Sequence, residues 1–150
     1  MVSAGTTSQY FTINGLNSNT PSGINTPAYD VVTFPVTDSK SKKSTTCTVK
    51  WDWTKKPSTS YTACKDNTFG VKISNYKSIT DFSVALQHQY NAQGKKCADT
   101  NSKTCTTTTA TTAITKANGS FKQYCGASGA CGAVSKKSFK VTSTSKTGTK

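Results

Sequence analysis

Apolar and polar residues alternate repeatedly along this chain, the period of a half-buried strand, whereas the three-to-four spacing of an amphipathic helix is nearly absent. Between Cys47 and Trp53 the pattern puts Cys47, Val49, Trp51 and Trp53 on one face and Thr48, Lys50 and Asp52 on the other, so one face is buried. Segment 69–74 repeats the alternation, and segment 82–90 extends it, aligning Phe82, Val84, Leu86, His88 and Tyr90. Weaker runs at 10–16, 29–36, 106–116, 121–124 and 138–144 are separated by Gly, Pro, Asn and Ser clusters, and together these segments predict eight or nine short strands. The expected fold is therefore all-β: one antiparallel β-barrel or sandwich over residues 1–150, with a flexible N-terminus at about 1–8 and a flexible polar tail at about 144–150. Stretches 18–27 and 38–46 read as loops. Asn118-Gly119 reads as a type I′ hairpin turn, which places the chain's one N-x-S/T sequon, Asn118-Gly119-Ser120, on a tip where glycosylation is sterically open.

Composition shows how thin the interior of such a fold must be. Thr and Ser supply 47 of 150 residues, whereas Leu, Ile, Val and Phe supply 22, and the formal charge is +13. A chain so poor in large apolar residues and so charged needs help to stay folded. Its six cysteines, at 47, 64, 97, 105, 125 and 131, can provide it by restricting the unfolded chain. Fifteen pairings are possible. Spacing favours neighbours: the glycine-rich Cys125–Cys131 segment can fold back on itself, Cys97 and Cys105 flank a turn-like sequence, and Cys47 and Cys64 can face each other across an antiparallel pair. The expected bridges are Cys47–Cys64, Cys97–Cys105 and Cys125–Cys131. A zinc site is disfavoured, because no C-x-x-C pair occurs and there is a single histidine, and no cofactor is expected.

Catalytic constellations are hard to find. The six Asp cannot be sorted into an acid/base pair, no G-x-S-x-G elbow exists, and His88 shares the apolar face of its strand, the usual place of a satisfied core histidine. The chain reads as a non-enzyme. No run of apolar residues is long enough for a membrane span, and residues 1–5 lack the basic and apolar regions of a signal peptide, so a secreted chain in mature form with an added start Met is expected.

All nineteen basic residues are Lys, and Arg is absent. That disfavours sequence-specific nucleic acid recognition, which leans on the bidentate guanidinium, and favours looser contact with acidic surfaces. The candidate contact groups are the loop lysines Lys40, Lys42 and Lys43, then Lys55 and Lys56, then Lys95 and Lys96. Trp51 and Trp53 at i and i+2 would make a sugar-stacking platform in a chitin- or glucan-binding module if exposed, but the Cys47 and Val49 beside them place both in the core. A basic antimicrobial or antifungal protein acting on anionic surfaces is a further alternative.

The order Thr46-Cys47-Thr48-Val49, Tyr61-Thr62-Ala63-Cys64, Asn67 to Ile73 and Phe82 to Leu86, closed by Tyr124-Cys125, Cys131 and Phe139-Lys140-Val141-Thr142, resembles the Alternaria major-allergen-like family of fungal secreted proteins over roughly residues 10–142. The resemblance implies a small β-barrel with Cys47–Cys64 and Cys125–Cys131 bridged, no catalytic centre, and roles as allergens and as effectors or elicitors toward plants, with thaumatin-like defence proteins among the partners. The chain departs from that pattern. No Cys precedes Cys47, so no intermolecular disulfide dimer is expected; Cys97 and Cys105 are extra; and Lys replaces the family's acidic surface. The combined expectation is a secreted, non-enzymatic effector- or elicitor-like protein whose exterior binds a plant host protein or a cell-wall glycan.

Overall fold

The computed structural model describes residues 8–22 and 28–150, which form twelve strands and one helical turn. Strand β3 (Tyr29–Asp38) organises the larger sheet. It pairs along its length with β4 (Ser44–Asp52), and on its other side with β2 (Asn17–Thr20) and then β1 (Tyr10–Ile13). The N-terminal run predicted as one strand is two, because Gly15 takes a left-handed φ of 59° between them, a turn that glycine makes without steric cost. From β1 the sheet continues to β11 (Phe139–Thr142), and from β2 to β10 (Cys131–Ser135) and β9 (Phe121–Cys125). The second sheet runs β12 (Thr144–Thr147), β8 (Thr106–Ile114), β7 (Asp81–Tyr90), β6 (Phe69–Ser78) and β5 (Thr62–Ala63).

The two sheets meet along two seams. At one, the Cys47–Cys64 disulfide links β4 to the residue after β5, reinforced by the Lys65 amide donating to the Thr46 carbonyl. At the other, the C-terminal chain changes sheet at the buried Ser143, whose amide donates to Gln9 O. These are isolated hydrogen bonds rather than strand ladders, so of the two expected architectures the molecule is a sandwich and not a closed barrel. Phe11, Phe34, Phe69 and Phe82, with Ile13 and Leu16, fill the space between the sheets, aromatic bulk making up for scarce Leu and Ile. Cys97–Cys105 and Cys125–Cys131 are the other two bridges, both within the chain.

Four expectations are corrected. The polar tail is not a free end: Thr144 to Thr147 add an edge strand to β8, Thr108 and Ser145 share a hydroxyl hydrogen bond of 2.6 Å, and the Lys150 amide donates to Asn101 O. Period-2 Thr and Ser there are strand signals without an apolar face. Stretch 18–27 contains part of β2, its remainder from 23 to 27 lying outside the described residues, as does the expected N-terminal flexible stretch except for Ser8. Trp53 is not core: pairing ends at Tyr29 opposite Asp52, Asp52 Oδ1 accepts from the Thr54 amide, and the chain turns outward, leaving Trp53 41% exposed while Trp51 stays buried.

The fourth concerns Asn118. Asn118-Gly119 closes a one-turn helix, α1 (Lys116–Gly119), instead of a type I′ turn. Thr115 Oγ accepts from the Asn118 amide, Asn118 Oδ1 accepts from the Thr115 amide, and its Nδ2 donates to Ala113 O. Reciprocal capping outcompetes the hairpin, and the left-handed residue is Ser120. Asn118→Ala removes half of this cap and is expected to lower unfolding free energy by about 1 kcal/mol in urea denaturation, whereas Asn118→Asp, which keeps the acceptor, loses less.

Candidate functional site

Six carboxylates face nineteen lysines, and the structure spends most of the carboxylates internally. Asp52, Asp66 and Asp99 each accept from the amide two residues on, at 2.9 Å, as does Asp38 from Lys40, the local bond that makes Asp a turn former. The exposed Asp52 carboxyl is held below the usual range by the Thr54 hydroxyl and amide. Asp30 is buried, and desolvation pushes it up. Among the described residues the single Lys–carboxylate contact is Lys150 to Asp99, at 4.0 Å and exposed. Lys50, Lys72 and Lys140 rest their ammonium groups over Tyr29, Tyr61 and Tyr10, but carboxylate neutralisation of the lysines is nearly absent among the described residues.

The one histidine sits where the second sheet meets the end of β3. His88 is 1% exposed, its ring stacked 3.8 Å from Phe69 and tilted against Tyr90. Nδ1 lies 2.6 Å from Asp38 Oδ2 and Nε2 lies 3.0 Å from Thr68 Oγ. Thr68 donates its hydroxyl hydrogen to Asp66 Oδ1 at 2.7 Å, so toward His88 Nε2 its oxygen accepts. Burial alone would raise Asp38, but the hydrogen bond and charge of His88 with the Lys40 amide outweigh it and hold the carboxyl below its ordinary value. Asp66 is lowered in the same way, against its own burial, by both Thr68 donors and by the charges of His88 and Lys43.

Hydroxyl, imidazole and carboxylate here stand in the order of a nucleophile relay, yet the geometry is that of a clip. Thr68 is buried with its proton directed to Asp66, and Ser41 Oγ approaches the His88 Nδ1 side at 3.4 Å, where Asp38 already takes the hydrogen. Both ring nitrogens are thus engaged by buried partners, and the Thr68 proton is committed to Asp66.

The predicted lysines fall into two groups at opposite ends of β7. Lys40 and Lys43, from the turn between β3 and β4, line a pocket of about 290 Å³ with Asn91 and Gly94 of the following loop. Lys42, exposed in the same turn at φ 62°, does not line the pocket, and Lys95, whose amide donates to Asn91 Oδ1, belongs to the loop after β7. Lys96 is exposed beyond it and lines neither pocket.

Lys55 and Lys56 lie at the other end, on an open groove of about 890 Å³. Sequence reading missed the rest of that groove. Lys72 and Lys77 come to it from β6, Asp81 from β7, and Ile73, Tyr76 and Phe82 give it an apolar floor. Lys72 extends over Tyr61, its Nζ 4.7 Å from the ring centroid, a contact that orients the ammonium. Tyr76 packs on Trp51 and Phe82, and burial, with the Asp30 charge nearby, pushes its phenol up to about 12, so it remains a donor. Alternation marks Lys72 as outward-facing, but nothing local to the sequence says that the turn after β4 lies across that face of β6. Trp51, buried beneath Tyr76, and Trp53, exposed, do not make a two-indole platform.

No family model matches the chain, and no curated protein matches it either. Among solved structures, the crystal structure of the Alternaria alternata major allergen Alt a 1 superposes with a TM-score of 0.57 at 13% identity, covering 93% of this chain and 96% of that one. At this identity the likeness concerns the fold.

Proposed function

From an Alt a 1-like fold, three internal disulfides and an uncompensated lysine surface, we propose that the protein is a secreted, non-enzymatic binder of the effector or elicitor type, taking hold of an acidic component of a plant host or cell wall through its exterior. One observation carries this reading: nineteen lysines share one exposed carboxylate contact among the described residues, because five of the six acids are committed to turns or the core. An ammonium without a partner in its own chain gives up only water when it meets an anion, and the field of several together steers acidic partners in. Fungal family membership, which the sequence resemblance suggests, would fit the same role. A chitin or glucan module built on Trp51 and Trp53 loses its platform, since Trp51 is core.

The test is retention by a panel of immobilised acidic materials, including pectic wall polymer, acidic plant apoplastic protein and anionic vesicles, beside neutral chitin and glucan. Retention by an acidic polymer or protein that falls by about tenfold as salt rises from low to several times physiological strength supports the reading, since screening acts on exposed charge pairs. Salt-resistant retention on chitin or glucan would replace it with the carbohydrate module, and leakage of anionic vesicles with the antimicrobial reading. Infiltration of folded and of reduced protein into leaves tests the elicitor role, with a response to the folded form alone expected.

A further inference from the structure

Resting on the reading of the lysine surface as a receptor for acidic material, we infer that the groove bordered by Lys55, Lys56, Lys72 and Lys77 is a specific site for a linear oligomer of uronic acid, the repeating unit of acidic wall polysaccharide. Three features of the groove define that class of ligand.

The first is size and shape. About 890 Å³ falls within the range of sites that take small molecules or short oligomers, roughly 300–1,000 Å³, and the site is an open trough instead of an enclosed chamber. An acyl chain would be left half in water there, while a linear polymer can enter and leave at both ends. The second is composition. Four lysines and one carboxylate, Asp81, line the groove around the half-buried Tyr76 ring, which rests on the buried Phe82, with Thr59 and Asn75 among the polar lining. A bare phosphate has no use for an apolar floor, and a neutral sugar has none for four cations. A uronate matches both, since each residue carries a carboxylate, several hydroxyls that can donate to Asp81, and a C–H face that packs on aromatic carbon.

The third feature is independent of side-chain chemistry. The β6–β7 ladder breaks at this point: Ser74 pairs with Ser83 and Ser78 with Asp81, so Asn75, Tyr76 and Lys77 together stand opposite Phe82 alone. Asn75 is held at φ 49°, the left-handed conformation that costs a non-glycine residue energy. The bulge turns Tyr76 down onto Trp51 and Phe82, forming the floor, and leaves Asn75 and Lys77 exposed at the rim. Strand bulges that re-aim side chains in this way are concentrated beside functional sites.

Titration calorimetry with a defined galacturonic acid oligomer, and with the same oligomer methyl-esterified, tests the assignment on the intact protein. The triple variant Lys55→Ser/Lys56→Ser/Lys77→Ser is compared with Lys40→Ser/Lys42→Ser/Lys43→Ser, which changes net charge equally at the opposite end. All six side chains are exposed, and thermal unfolding of both variants verifies that they fold. The groove variant is expected to lose about tenfold or more in affinity for the acid form and the control less than about threefold, with the methyl ester binding neither wild type nor variants. Equal losses in the two triple variants, or binding of the ester as tightly as the acid, would overturn the site while leaving a lysine-based receptor standing. Failure of wild type to bind the oligomer while another acidic material on the panel is retained would overturn the uronate class alone, and failure on the whole panel would remove the broader reading too.

Discussion

Replacing His88 with Phe lowers the unfolding free energy by about 3–5 kcal/mol, a large share of the roughly 5–15 kcal/mol that holds a domain folded. Phe keeps the ring stacked on Phe69 and removes both donors, so the loss is not that of a cavity. It leaves the Asp38 carboxylate, 0% exposed, with the Lys40 amide but no ring partner, and leaves the Thr68 hydroxyl oxygen without the donor that now meets it. Asp38 ends a strand of the first sheet, His88 belongs to the second, and Thr68 precedes β6, so the clip joins the two layers. Adding Asp38→Asn to the Phe variant removes the unpaired charge and is expected to recover at least about 1 kcal/mol at neutral pH, whereas Asp38→Asn in the wild type destabilises.

Acid distinguishes the pair from simple packing. Asp38 and Asp66 both have folded values below their unfolded ones, so the stability they contribute is present in full above the unfolded carboxylate value of about 4 and is lost as pH falls through the lower folded values. In His88→Phe the support for ionised Asp38 is gone, so its deficit relative to wild type narrows as pH drops below about 4. Urea unfolding at a series of pH values measures this. A constant deficit across pH, or a loss under about 1 kcal/mol at neutrality, would show that the clip does not hold the sheets together.

The other large effect belongs to the disulfide of the same seam, whose Asp66 also anchors the Thr68 arm of the clip. Cys47→Ala/Cys64→Ala opens a closure with a sequence separation of 17 and is expected to cost about 3 kcal/mol by chain entropy, more where the buried sulfurs leave space behind. Cys125→Ala/Cys131→Ala, with a separation of 6 on the exposed β9–β10 hairpin, is expected to cost about 2 kcal/mol. The Cys47–Cys64 bond crosses between sheets and holds the Thr46–Lys65 and Thr45–Asp66 hydrogen bonds in register, so its loss extends past the loop itself. Denaturant midpoints of the two double variants give the order; the reverse order would place the seam elsewhere.

Much of the strand layout was legible because its signal is local. Alternation found β4, β6 and β7 to within a few residues, and it placed His88 on the buried face. It failed where local signals compete or are missing. Trp53 fits the apolar face of β4, but the Asp52–Thr54 turn ends the ladder one residue earlier. Asn-Gly suits a hairpin, yet Thr115 offers the same Asn a cap. β12 has no apolar residue to announce it, and β10, Cys131-Gly132-Ala133-Val134-Ser135, is too small in side chain to stand out although Ala133 is fully buried. The groove was half legible. Lys55 and Lys56 drew notice as a cluster, while Lys72, Lys77 and Asp81 join them through the packing of β4 on β6 and a bulge that leaves no trace in composition. Asp-x-Thr, at Asp52 and Asp66, was present from the start as a sign that the acids serve turns and leave the lysines unpaired.

A lysine groove that holds an acidic glycan, as proposed, leaves a local footprint on the folded protein. Amide chemical shifts recorded during titration of the folded protein with a galacturonic acid oligomer test it most directly. Saturable shifts concentrated at Lys55, Lys56, Lys72, Asn75, Lys77 and Asp81 are expected, with the turn at Lys40 to Lys43 largely unmoved. Shifts centred on that turn, or small changes spread evenly over all exposed lysines, would contradict it.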